Sequence, residues 1–155
     1  MIRMTKLTDY ASVLMTYFAR DTTLAHNARD LAAEARLPLP TVSKILKALS
    51  RGGLLVSHRG FNGGYTLARQ PEEISLAEII RSMEGPISIT ECGGDKVRRC
   101  PHEPLCPVRD NWQRINLIIR QALSNISLAE MTHPLSPQFE FSGPRLPMAA
   151  GAPGS

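Results

Sequence analysis

Aromatic residues are scarce in this chain, at 5% of 155 residues, with a single tryptophan. Hydrophobic residues still make up 43%. A core can therefore form, it must be mainly aliphatic, and disorder of the whole chain is excluded. No apolar run approaches the roughly 20 residues that a membrane span needs, so no membrane partner is expected. The opening MIRMTKLTDYA is basic, but polar residues interrupt it at once, and it does not read as a signal peptide. Cysteine is nearly absent too. Three is an odd and small number, which argues against a secreted disulfide scaffold and for a reducing, cytoplasmic setting. No acid–base pair, nucleophile triad or phosphate-binding loop is visible, so an enzyme is not expected.

What charge there is lies unevenly. The net charge is +4, from 18 Lys and Arg against 14 Asp and Glu. Residues 1–70 hold ten basic against four acidic residues, and residues 71–155 hold eight against ten. A polyanionic partner is therefore expected at the first half.

Local patterns place the elements. Thr8 is positioned to cap a first helix reaching about Arg20, with Tyr10, Leu14, Tyr17 and Phe18 on its apolar side. Asn27 caps a short second helix with Leu31, Ala32 and Ala35 inward. Arg36–Leu37–Pro38–Leu39 breaks it, because the residue before a proline leaves the helical region. A third helix starts near Pro40 and ends at Gly52–Gly53, with Val42, Ile45, Leu46 and Leu49 as its inner stripe. LLVSH and YTLAR read as strands around the turn RGFNGG, and Ser75 caps a further helix that Gly85–Pro86 ends. The expectation is a mainly α protein, with a winged helix-turn-helix DNA-binding domain over residues 1–84. An irregular cysteine loop follows over 85–109. A long dimerisation helix and a short terminal helix capped by Ser127 occupy 110–131, and residues 132–155 read as a disordered tail.

The third helix fits a major groove, whose base edges are reached from the N-terminal half of such a helix. Pro38, Pro40, Thr41, Ser43 and Lys44 occupy that half, and Lys47 a turn later is placed for phosphate. Exposed lysines alone are ordinary solvated positions. The wing adds weight: Arg59 precedes Gly60 and a glycine-rich turn without acidic residues. Glycines let the backbone approach a phosphate ridge, and arginine suits a narrow minor groove. Trp112, Ile115, Ile119, Leu123 and Ile126 repeat at three or four residues along the long helix. The stripe reads as the seam of a homodimer, which would present two reading helices about 34 Å apart to a palindromic promoter site.

All three cysteines lie in fifteen residues, Cys92, Cys100 and Cys106, spaced C-x7-C-x5-C. Paired CxxC knuckles are absent. Thiolates suit iron–sulfur clusters, zinc or copper(I), and Lys96, Arg98, Arg99 and Arg109 make a positive setting that favours thiolates. A four-coordinate site needs one more ligand, and His102, Glu103 and Glu91 are the local candidates. A zinc-stabilised site and a thiol switch between Cys100 and Cys106 are the alternatives to a cluster.

The segments LTDYA, LPTVSKILKAL, RGFNGGYTLA and ISLAEII, together with the three-cysteine loop, resemble the Rrf-two superfamily of bacterial winged-helix regulators. That group includes the Isc regulator and the nitric-oxide sensor NsrR. KLTDYA, LPLPTVSKILK, ITEC and CPVRDNWQRIN resemble most the branch that regulates SUF iron–sulfur assembly, and the resemblance covers about residues 1–133. It implies a homodimeric transcriptional regulator, a repressor of iron–sulfur assembly genes, with one cluster per subunit held by Cys92, Cys100 and Cys106. In the Isc regulator a histidine stands three residues after the last cysteine; here that place is Arg109. In the nitric-oxide sensor an aspartate of the first helix reaches across the dimer, and Asp9 matches it. The resemblance thus implies Asp9 as fourth ligand in trans, with His102 as the alternative, and 2Fe–2S is preferred over 4Fe–4S.

Overall fold

The computed structural model describes residues 3–90 and 105–134. The readings at Glu91, Cys92, Cys100, His102 and Glu103, and the tail from residue 135, lie outside the described residues.

Helix α1 spans Lys6–Arg20. It is capped by Thr5, not by Thr8 as the sequence pattern suggests: the Thr8 N–H donates to the Thr5 hydroxyl at 3.3 Å. Lys6 and Leu7 are good helix formers, so the helix extends back until a side-chain acceptor ends it. Thr8 is instead fully buried and donates its hydroxyl to Glu84 at 2.5 Å. Helix α2, Ala28–Ala35, is capped by Asn27 as expected, and α3 runs Leu39–Arg51 with Pro38 at its N-cap. Strands β1, Leu55–His58, and β2, Gly64–Leu67, pair antiparallel with Leu55 opposite Leu67 and His58 opposite Gly64.

A short 3-10 turn, Pro71–Glu73, leads to α4, Leu76–Glu84, where Ser75 and Glu78 form a reciprocal capping box. The long helix is α5, Arg109–Ser124, and the last is α6, Leu128–Met131, capped by Ser127. The sequence pattern groups α6 with α5, but α6 packs on α1 and the Pro71–Glu73 turn. The Leu76 N–H donates to the Ile126 carbonyl at 2.8 Å, and the Leu128 N–H donates to the Ile74 carbonyl at 2.7 Å. Leu128 is thereby fully buried beside Ile74.

One core serves all the helices but α5. It joins Leu14, Met15 and Phe18 of α1, Leu31 of α2, and Val42, Ile45, Leu46 and Leu49 of α3. Ile79 of α4 and Leu128 of α6 also belong to it, with Leu54, Leu55 and Ile74 from the wing base and the turn before α4. The wing base is pinned separately: His26 and Tyr65 exchange backbone hydrogen bonds of 2.9 Å each, tying β2 to the loop before α2. No helix among the described residues is long and apolar enough to cross a membrane.

Candidate nucleic-acid interface and thiol site

The turn between α2 and α3 is built by one residue in an unusual conformation. Arg36 has φ +53°, the only positive φ outside glycine among the described residues. Its N–H donates to the Ala33 carbonyl at 3.3 Å, and the Leu37 N–H donates to the Ala32 carbonyl at 3.0 Å. This closes the end of α2 in the left-handed manner and swings the chain into Pro38. A left-handed non-glycine residue costs about 1–2 kcal/mol, which the surrounding packing offsets.

α3 then divides into two faces. Val42, Ile45, Leu46 and Leu49 are fully buried. Pro38, Pro40, Lys44 and Lys47 are exposed, and Thr41 and Ser43 are half-buried at the margin. Anchored by four core residues, the outer face is presented rigidly. Arg59 and Gly60 are exposed beyond β1. Because Leu54 and Leu55 are buried against the same core, helix and wing belong to one folded unit. From Arg36 to Arg69 the chain carries six Lys or Arg and no Asp or Glu. Nothing acidic in that stretch offsets its attraction for phosphate.

The thiol site is described only at its margins. Cys106 is half-buried and free of disulfide, and its carbonyl accepts from the Arg109 N–H at 3.3 Å as α5 begins. The other margin is held by a residue the sequence reading passed over. Asn116 is 2% exposed. Its Oδ1 accepts from the Ile89 N–H at 2.7 Å, and its Nδ2 donates to the Thr90 hydroxyl at 3.0 Å. Both ends of the cysteine loop are thus attached to α5. The only signal in the sequence was a polar residue set within an apolar stripe. Asp9 is exposed on the first turn of α1. Among the described residues no group of three His, Cys, Asp or Glu is gathered to hold a metal.

The α5 stripe divides as well. Ile119 and Leu123 are half-buried and line a cleft of about 700 Å³ with Met4, Ile80, Ile87 and Ile89. Trp112 and Ile115 stay exposed, at 36% and 38%, beside exposed Leu105 and Val108. Part of the expected seam is therefore used within the chain, against α4. At the same end, α4 holds α1: Glu84, which also lines the cleft, accepts from the Thr5 N–H at 2.9 Å as well as from the Thr8 hydroxyl. These two bonds hold the Glu84 carboxyl below the usual glutamate range, the Thr8 contact being the larger cause.

Comparison with known proteins agrees with this arrangement. Residues 4–134 match the Rrf2 family model, described as an iron-dependent transcriptional regulator. The chain is 33% identical over 109 residues to the HTH-type transcriptional regulator NsrR of Geobacillus kaustophilus, covering 70% of this chain and 74% of that protein. In structure it is similar to CymR, the global cysteine regulator of B. subtilis, with a TM-score of 0.66 and 26% identity. That match covers 85% of this chain and 97% of CymR. It shares the fold of T. potens IscR at a TM-score of 0.62 and 24% identity, over 84% of this chain and 85% of that one. These relatives are transcriptional regulators and not enzymes. An exposed basic face on α3, a glycine-tipped wing and a three-cysteine segment whose described margins meet α5 thus occur in a chain that belongs to the Rrf2 family of winged-helix, DNA-binding transcriptional regulators.

Proposed function

We propose that this chain is a homodimeric repressor of iron–sulfur assembly genes that reports cluster status. The observation that carries the reading is the position of Cys106. It stands at the foot of α5, between a loop with two further cysteines and a helix side whose Trp112 and Ile115 are left uncovered. In this reading Pro38, Pro40, Thr41, Ser43, Lys44 and Lys47 read a palindromic promoter, and Arg59 and Gly60 follow its minor groove. A twofold pairing along α5 sets the two α3 helices about 34 Å apart.

Cys92, Cys100 and Cys106 supply three soft thiolates, a donor set that suits an iron–sulfur cluster, with 2Fe–2S preferred. The partner subunit's Asp9 takes the fourth position, and His102 is the alternative. When bound, such a cluster supplies a centre that is lost or oxidised as iron and oxidants change. The family's description as iron-dependent supports this choice. The chain's own contribution is mechanical. Asn116 and Cys106 fix the two ends of the loop to α5, so ordering the loop acts on the helix that joins the subunits. Glu84 carries the other connection, from the end of α4 to the first turn of α1, where Asp9 lies. The likeness to CymR, a global cysteine regulator, favours a second reading, a thiol switch between Cys100 and Cys106.

Anaerobic purification with a visible spectrum and iron and sulfide assays tests the proposal. A coloured protein with both elements is the expected result. Replacing Cys92, Cys100 and Cys106 together with alanine should give a colourless, folded dimer whose promoter output ignores iron and oxidant. Cys106, the described one of the three, is not among the buried core residues. Colourless parent protein with stoichiometric zinc, or without metal and with a reversible disulfide, would overturn the cluster in favour of one alternative or the other.

A further inference from the structure

The tip of the wing carries a side chain that neither the core nor the DNA contacts above account for. Phe61 is completely exposed, at 106% of the open-chain reference. It occupies the second position of the four-residue turn Gly60–Phe61–Asn62–Gly63, closed by a hydrogen bond from the Gly63 N–H to the Gly60 carbonyl at 3.0 Å. Two glycines of the turn leave it little apolar company, and its other neighbour, Asn62, is polar and exposed. Gly60 has φ +111°, which side chains rarely adopt, and a Cβ on Gly63 would stand 2.6 Å from the His58 carbonyl oxygen. The ring is therefore the one apolar side chain presented by this turn.

Its support is firm. The strands below it pair in register from Leu55–Leu67 to His58–Gly64, and the base is pinned through Tyr65 and His26. Arg59 lies two residues away, in a stretch without a carboxylate. A single exposed apolar residue on an ordinary surface needs no account. At the apex of a basic wing in a DNA-binding protein it has a specific meaning. Phe, Leu, Ile, Met and Pro are the side chains that enter minor grooves as wedges, unstack a base step and bend the duplex toward the major groove.

We propose that Phe61 is such a minor-groove wedge. Its ring enters one base step where the wing meets the operator, so that the chain selects flexible pyrimidine–purine steps there. Arg59 draws the wing to the groove by charge, and Phe61 reads how easily the duplex opens. The inference rests on the wing meeting DNA. It adds a specificity-determining residue that makes no hydrogen bond to a base.

The test uses duplexes selected from a random pool by the full chain, with 2-aminopurine scanned through the flank that the wing protects. Binding should raise the fluorescence at one step in each protected flank. In Phe61→Ala the rise should disappear, the preference for a pyrimidine–purine step over an A-tract should vanish, and affinity should fall about tenfold, as for loss of a base–aromatic contact. Phe61→Leu should keep part of the rise. Arg59→Ala should weaken binding to every duplex while the complex that forms still shows it. No rise with the parent protein, or a rise that persists in Phe61→Ala, would overturn the wedge. An altered sedimentation state in Phe61→Ala with DNA binding intact would overturn it in favour of a protein contact. Failure of the parent to select any duplex would overturn the DNA-binding reading and the wedge with it.

Discussion

Helices α3 and α5 carry the same kind of apolar stripe and meet different fates. On α3, Val42, Ile45, Leu46 and Leu49 are all completely buried. On α5 the one buried residue is polar, Asn116, while Trp112, Ile115 and Leu117 face outward. The difference lies in the cover. α3 is surrounded by α1, α2, α4 and β1, whereas within this chain α5 packs chiefly on α4. Burial of an aliphatic side chain stabilises by about 1.5–3 kcal/mol, so α3 is held by its own domain. The outer half of α5 gains this only from another surface. Periodicity reports that a helix has something to bury, and not where the cover comes from.

Breaking the better-covered helix should have the largest effect on the fold. Leu46→Ala should destabilise by roughly 2–5 kcal/mol in chemical denaturation, because the void it leaves is enclosed by packed neighbours. Asn116→Ala comes next. It leaves the Ile89 N–H and the Thr90 hydroxyl without their α5 partner, at about 1–3 kcal/mol. The Ile89 amide should exchange with deuterium faster than amides of α3, and equal protection would remove Asn116 as the loop's clamp.

Glu84→Gln should cost stability at neutral pH and lose its effect in acid. The folded carboxyl titrates below its unfolded value, so its contribution is complete above the usual glutamate range and is lost as pH falls through the lower folded value. A melting-temperature profile for the variant should be flatter than the parent's across that window. Identical acid limbs would show that the Thr5–Thr8–Glu84 link carries no stability. The smallest effect on the protomer fold is expected from Ile115→Glu, since this side chain is already exposed. Far-UV circular dichroism should not change. A parent melting temperature that rises with protein concentration should become concentration-independent, and sedimentation should show monomers. Ile119→Glu is the less selective choice, because Ile119 also lines the cleft beside α4. A dimer that survives Ile115→Glu would place the subunit contact elsewhere.

Much of this could be read before any coordinates. Asn27, Ser75 and Ser127 are caps in the structure as in the sequence, because capping is decided within four residues. The inner stripe of α3, the wing strands and the exposed basic face were legible for the same reason. Thr8 was misread because two threonines three residues apart both suit a cap, and only the distant Glu84 distinguishes them. Asn116 was hidden because its partners, Ile89 and Thr90, lie 27 and 26 residues earlier. Phe61 looked like part of a turn, and its isolation depends on how that turn is closed.

By itself, then, the sequence determined the local order: where helices start, which face of α3 is apolar, where basic charge gathers and that three cysteines share one segment. Those properties follow from backbone propensity, side-chain spacing and charge, which act over a few residues. Tertiary structure alone decided that α6 returns to the core shared with α1–α4 through Leu128 and Ile74. It also decided that α5 divides its stripe between an internal cleft and an open side, and that Asn116 and Glu84 join the margins of the cysteine loop to the helices on either side. These are contacts between residues far apart in the chain. Packing, with the requirement that buried polar groups find partners, selects them only after the local elements have formed.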